Sequence, residues 1–200
     1  MSTLTEVRKE FEKLSPGTPV ATVRLLNRGT RAGVDQALTR LTAEGFLVRA
    51  CRGVYYRPAE SRFVGRVPAE AEKVVFELAS ARGETLAVHG AEAARQFQLS
   101  TQVPMNPVFL TSGKTRTVQV GNRKVALRHA SPRELVLAGT KAGVALQALK
   151  YLGPLHAPAA LHKVLAQLPR EESEALRSAT AAMPSWLSDE FYRLERRSQV

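Results

Sequence analysis

Arg28, Thr30, Arg31, Gln36, Thr39, Arg40, Arg49 and Arg52 crowd into one short stretch of the chain. They are hydrogen-bonding and cationic groups with no nucleophile–base pair among them, so the chemistry they offer is recognition. Arginine and glutamine match guanine and adenine edges in a DNA major groove, and arginine also neutralises phosphate. Bond-making signals elsewhere are weak. Ser112-Gly113-Lys114-Thr115 resembles the end of a phosphate-binding loop, yet the glycine required five residues before Gly113 is Val108, and a strand pattern follows where a helix is needed. A lysine in a hairpin turn is the better reading. Of His89, His129, His156 and His162, only His156 and His162 form even a loose pair, which is weak as metal-ligand spacing. Cys51 has no histidine beside it and reads as a small packing residue. Glu171, Glu172 and Glu174 suit the positive end of a helix. The expectation is a protein that binds rather than catalyses, with no metal and no cofactor.

The recognition groups need a helix and a hairpin to present them. Val34, Ala37, Leu38 and Leu41 recur at i, i+3, i+4 and i+7 and predict one buried face. Ala32, Gln36, Thr39 and Ala43 then fall opposite, with Asp35 and Arg40 at the edges. Thr30 is the expected N-cap, and Gly45 the left-handed stop. A short helix is expected over Thr18–Leu26, with Val20, Val23 and Leu25 or Leu26 inward, and Asn27-Arg28-Gly29 as the turn. After Gly45, Phe46–Val48 and Gly53–Tyr56 predict two strands, and Arg49 and Arg52 flank the turn between them. Two helices followed by a basic hairpin predict a winged helix-turn-helix.

The chain has 200 residues, a net charge of +11, and one cysteine, which excludes an internal disulfide and fits a reducing cytosol. The charge is uneven: +6 up to Arg66, +5 from Val67 to Gly153, and zero beyond. A basic front suggests a polyanionic partner. No apolar run approaches the length of a membrane span, and no signal-peptide pattern is present, so the expected location is cytoplasmic with no membrane partner.

The organisation expected is a DNA-binding domain over residues 1–66 and an α+β domain over 67–200, with a helical part from 154 onward. An N-terminal helix runs over Leu4–Leu14, and Ala59–Arg66 reads as a linker or extended arm. Ala71, Val74, Val75 and Leu78 open the second domain as a helix. Thr85–His89 predicts a strand and Ala91–Phe97 a helix. Pro107–Thr111, Arg116–Val120 and Lys124–Arg128 predict an antiparallel meander. Ser131-Pro132-Arg133-Glu134 is a capping box that should start a helix over Arg133–Thr140, followed by Gly143–Tyr151. Three further helices, broken at Pro169 and Pro184, complete the chain. Lys114, Arg116, Arg123, Lys124 and Arg128 give the meander a basic side that suits a nucleic acid or an acidic protein.

Several segments together resemble the AbiEi family of antitoxins. They are Arg31-Ala-Gly-Val-Asp-Gln-Ala-Leu-Thr-Arg-Leu, the stretch from Gly45 through Arg52-Gly-Val-Tyr-Tyr-Arg-Pro, Gly90-Ala-Glu-Ala-Ala, Leu99-Ser-Thr-Gln-Val-Pro, and Phe109-Leu-Thr-Ser-Gly-Lys-Thr-Arg. The resemblance spans roughly Thr18 to Gly153. It implies an N-terminal winged helix-turn-helix that represses its own operon, and a C-terminal domain that counteracts a nucleotidyltransferase-like toxin encoded next door. Binding as a homodimer to an inverted repeat in operator DNA is the associated expectation. The alternatives are a stand-alone regulator with an effector or oligomerisation domain and, from the enzyme class, a second domain that modifies a target such as the toxin.

Overall fold

The computed structural model describes residues 2–63, 65–102 and 106–198. It is an α+β protein of two compact units: residues 1–84 with 117–125, and residues 85–116 with 126–200.

In the first unit, α1 (Thr3–Lys13) is capped by Ser2, whose hydroxyl accepts from the Thr5 N–H, and buries Val7 and Phe11. Strand β1 (Val20–Ala21) leads into a 3-10 helix at Thr22–Arg28 and then into α2 (Arg31–Ala43). The sequence pattern predicted an α-type face for the middle segment, and the tighter winding corrects it. At three residues per turn Thr22 and Leu25 stack inward, while Val23 and Leu26 share an outer face. Helix α2 follows its expected spacing: Val34, Leu38 and Leu41 are fully buried, and Thr30 accepts from the Gly33 N–H.

Strands β2 (Val48–Cys51) and β3 (Val54–Tyr56) follow. The first begins later than Phe46, because Leu47 still belongs to the helix end: its N–H donates to the Leu41 carbonyl and its side chain is buried. Strand β3 is central, antiparallel to both β1 and β2. The expected linker is instead a small hairpin, β4 (Ala59–Ser61) with β5 (Gly65–Val67). Helix α3 (Ala71–Ser80) belongs to this unit too, so the compact boundary falls after Glu84 and not at Arg66. The reason is visible at Glu77. Its carboxylate accepts from the Ala21 N–H at 3.0 Å and from Arg24 at 2.6 Å, which ties α3 to the start of the 3-10 helix.

The second unit contains β6 (Leu86–Val88), α4 (Gly90–Gln96) and β7 (Val108–Thr111). Strand β9 (Arg123–His129) pairs with β7 through residues 126–129, while its start and nearly all of β8 (Arg116–Val120) fall in the first unit; the strand order is β6-β7-β9-β8. This is not a meander, since β7 runs parallel to β9, pairing Phe109 with Leu127 and Thr111 with His129. The Ser112–Thr115 loop therefore passes the end of β9 rather than closing a hairpin. It is held there by the His129 N–H donating to Thr115 Oγ1 and by His129 Nδ1 lying 2.9 Å from the Gly113 carbonyl.

The capping box at Ser131 forms as expected. The Glu134 carboxylate accepts from the Ser131 N–H (2.9 Å) and hydroxyl (2.8 Å). The helix it should start does not propagate, because Leu137 turns left-handed at φ 59°. The carbonyl of Leu137 instead presses on Gly143, where a Cβ would lie 2.0 Å from it. Helix α5 (Lys141–Ala166) is capped by Thr140 and kinks at Gly153 (φ 69°), with Pro154 restarting it. Helices α6 (Arg170–Ser178) and α7 (Ser185–Ser198) close the unit. Leu146, Leu149, Leu161, Val164, Leu176, Met183, Leu187 and Phe191 share one core with Ala93 and Ala94 of α4.

Two outcomes follow for stability, read by denaturation of the whole chain followed through Trp186, its single tryptophan. Gly143→Ala should cost at least about 1–3 kcal/mol, because the obstruction is backbone. Glu134→Ala should cost about 1 kcal/mol at neutral pH as a lost cap. The Ser131 hydrogen bonds hold the Glu134 carboxyl below its ordinary pKa, so this contribution is complete above the unfolded value and lost as pH falls through the folded one. The gap between the variant and wild type should therefore close on acidification; a gap that stays constant to low pH would show that the carboxylate does not carry it.

Candidate nucleic-acid interface

Helix α2 gives the clearest functional geometry. Opposite its buried face, Ala32, Gln36, Thr39 and Ala43 are all exposed, with Arg31, Asp35 and Arg40 beside them. Small residues at Ala32 and Ala43 leave room for a close surface, and Gln36 projects an amide with no intramolecular partner among the described residues. The other groups are engaged. Arg31 pairs with Asp35 at 3.0 Å and Arg40 with Glu44 at 3.2 Å, both one turn apart. Thr39 donates to the Asp35 carbonyl, and Thr30 is spent as the N-cap. Arg28 turns back to α1 and pairs with Glu10 at 2.7 Å, so it serves the fold before it can serve a partner. Glu44 also receives Arg8 of α1.

The β2–β3 turn is Arg52-Gly53, with Gly53 at φ 83°. Its carbonyl accepts from both the N–H (2.9 Å) and the hydroxyl (3.3 Å) of Thr22, so the turn is fastened to the 3-10 helix. Arg52 is exposed at the tip. Arg49 is exposed on the strand and stands 6.0 Å over the Tyr55 ring. Neither is ion-paired with a described residue. Cys51 is half-buried between them; burial pushes its thiol up, against the opposing pull of Arg82 and Arg49. That keeps it protonated near neutral pH and unsuited to nucleophilic attack.

The five basic residues of the expected meander are divided between the two units. Arg123 and Lys124 fall in the first unit, and Lys114, Arg116 and Arg128 in the second. Lys114, Arg123, Lys124 and Arg128 are exposed, while Arg116 is half-buried and donates to the Lys114 carbonyl. Val125 and Leu127 are fully buried on the other side of β9. His89 lies near Arg128; burial first, then that guanidinium, pushes its imidazole down, so it is neutral at pH 7.

Among the described residues no group of three His, Cys, Asp or Glu converges as a metal site. His156 and His162 are both exposed. A cleft of about 460 Å³ in the first unit is walled by Arg49, Tyr56, Glu70, Asn122 and Arg123 with apolar residues, and its lining holds no serine, cysteine or histidine. Glu172 of the acidic helix start has a structural task, accepting from the Ala142 N–H at 2.8 Å. No described helix is long and apolar enough to cross a membrane.

A sequence profile described as a family of unknown function, DUF6088, matches residues 6–176. The chain belongs to this family. The match covers the first unit from α1 onward and the second as far as α6. No curated protein matches this DUF6088 chain. Among solved structures, the RV2827C protein from Mycobacterium tuberculosis is similar, with 15% sequence identity, a TM-score of 0.44, and an alignment covering 94% of this chain and 77% of that one. The segment Leu99–Pro104, one of those that resemble AbiEi antitoxins, ends in Val103 and Pro104, outside the described residues.

The intrahelical pairs on α2 generate a test. Asp35→Asn removes a negative charge from the exposed face and frees Arg31. Such exposed pairs are worth only about 0.3–1 kcal/mol, so the fold should not suffer. If this face meets duplex DNA, affinity should rise about two- to fivefold, from the same magnitude. A fluorescence-anisotropy titration giving equal or weaker binding would show that it does not.

Proposed function

We propose that this protein binds duplex DNA through its first unit as a transcriptional repressor, with α2 as the helix that enters the major groove. One observation carries the reading: α2 is sealed on one side by Val34, Leu38 and Leu41 and bare on the other, where Gln36, Arg31 and Arg40 stand. The element order supports it. A helix, a short strand, a 3-10 turn, α2 and a hairpin, with strand order β1-β3-β2, suit a winged helix-turn-helix. In this reading Arg49 and Arg52 of the β2–β3 hairpin meet phosphate, while Arg31, Gln36, Thr39 and Arg40 face bases. One such helix reads few bases, so two copies on an inverted repeat complete the recognition. The resemblance to AbiEi antitoxins extends the proposal. The operator is that of the protein's own operon, and the second unit counteracts a nucleotidyltransferase-like toxin, with Lys114 and Arg128 as its exposed cationic contacts.

Footprinting on the region upstream of the gene tests the first part. Gln36→Ala and Arg31→Ala should each lose on the order of 1–3 kcal/mol on the protected site. Arg49→Ala and Arg52→Ala should weaken all duplexes alike and lower the salt dependence by about one counterion each. No protected site, together with mutants that bind like wild type, defeats the reading.

The second part is tested by co-expressing the neighbouring toxin with the full chain. Cutting at Pro68 is unsuitable, because it would strip α3 from the unit it completes. Lys114→Glu with Arg128→Glu should keep DNA binding and reduce protection. Full protection by that double variant would remove the basic surface of the second unit from the mechanism.

A further inference from the structure

The arginines between Val20 and Val67 divide into two sets. Arg24, Arg28, Arg31 and Arg40 are each ion-paired, with Glu77, Glu10, Asp35 and Glu44. Arg57 donates to the Leu14 carbonyl at 2.9 Å. Arg49, Arg52, Arg62 and Arg66 have no acidic partner among the described residues. All four stand on hairpins: two on β2–β3, and two on β4–β5. The second of these hairpins, which also carries Glu60 opposite Arg66, falls in the segment read from sequence as a linker or extended arm.

Hairpin β4–β5 has a fixed root and a bare tip. Its root follows Arg57, which is held to the end of α1 by its own guanidinium and by its carbonyl, which accepts from the Gly17 N–H at 2.7 Å. Arg66, opposite Glu60, lays its guanidinium over Gly45, with Nη2 2.9 Å from where a Cβ would stand. The hairpin is therefore seated at the C-terminal end of α2. At its tip Phe63 is 97% exposed beside the exposed Arg62, and the Phe63 N–H is held by the Ser61 hydroxyl at 3.2 Å. A three-residue strand spans about 10 Å, so the tip stands well clear of the helix end.

We infer that the β4–β5 hairpin is a second DNA-contacting arm, which enters the minor groove beside the major-groove site and inserts Phe63 between base pairs. This rests on the reading of α2 as the groove-entering helix. The chemistry fits that partner. Arginine, here Arg62 beside Phe63, is attracted to the negative potential of a narrow minor groove, and an apolar wedge unstacks a base step and kinks the duplex. The groove is about 6 Å wide, which suits a two-stranded tip better than a helix. The arm also gives the first unit a way to select for deformable steps that α2 never touches.

The test uses the full chain and an end-labelled duplex covering the region upstream of its gene, with bending read by fluorescence transfer between the ends and unstacking by 2-aminopurine fluorescence. Wild type should bend the duplex and raise the 2-aminopurine signal at one step per bound copy. Phe63→Ala should keep the footprint, lose the bend and the signal, and bind about tenfold or more weakly, since a stacked aromatic is worth about 1–3 kcal/mol. Phe63→Trp should restore both. Arg62→Ala should lower the salt dependence by about one counterion. Phe63 is exposed, so these variants should melt with wild type. A Phe63→Ala protein that bends and binds like wild type overturns the arm while leaving α2 intact. A wild type that binds no duplex overturns both readings. Phe63-dependent binding to vesicles of anionic lipid, without any effect of Phe63 on DNA, would assign the tip to a membrane surface instead.

Discussion

The left-handed turn at Gly45 is the constraint on which the first unit depends. Helix α2 must stop there for Leu47 to return to the core and for β2 to start in register with β3. At φ 74° almost any other residue would be strained. The end of the Arg66 side chain lies over this glycine and would have to move aside for a Cβ. One residue thus ends the helix, aims one hairpin and seats another. The end of α2 and the start of the β2–β3 hairpin meet at this turn, and Arg66 of the second hairpin lies over it.

Electrostatics and packing divide the labour in the same unit. The ion pairs that cross between elements, Arg28 to Glu10, Arg24 to Glu77 and Arg8 to Glu44, bind parts of the fold together and are partly shielded from solvent. Those within α2, Arg31 to Asp35 and Arg40 to Glu44, lie in open solvent and hold little energy. A polyanion can exchange the second kind for its own phosphates at small cost, and cannot do so with the first without loosening the core. This orders the sequence candidates physically. Arg31 and Arg40 remain available to a partner in a way that Arg28 does not, although nothing in residue type separates the three.

What was legible in the sequence is what local spacing decides. The period of Val34, Leu38 and Leu41, the Thr30 cap, the Ser131–Glu134 box and the strands around Phe109 and Val118 all depend on residues within a few positions of each other. What was not legible depends on distant partners. Whether Thr22–Arg28 winds as an α or a 3-10 helix depends on Thr22 finding the Gly53 carbonyl. That α3 joins the first unit depends on Glu77 reaching Arg24. The parallel pairing of β7 with β9 places a strand between two neighbours in sequence, and alternation of apolar residues is the same for either order. The β4–β5 hairpin lacks the apolar alternation that marks a strand, since Ala59-Glu60-Ser61 and Gly65-Arg66-Val67 have little to bury. Its interest lies in that exposure.

The helical C-terminal part shows how packing narrows the search for a protein partner. Leu161, Val164, Leu165 and Leu168, and then Leu187, Phe191 and Leu194, form apolar stripes that would suit a docking surface on an isolated helix. In the folded unit they line one core with Ala145, Leu146 and Leu149 of the first half of α5. That core depends on small residues. Gly90 of α4 leaves no room for a Cβ, with Tyr151 at 2.5 Å, and the alanines 142, 145 and 148 let the helices approach closely. The stripes are consumed in the unit itself, so they form no free apolar face on α5 or α7. The basic residues of this unit are spread over both of its parts: Lys114 and Arg128 are exposed at the sheet, and Lys141 and Lys150 stand on α5.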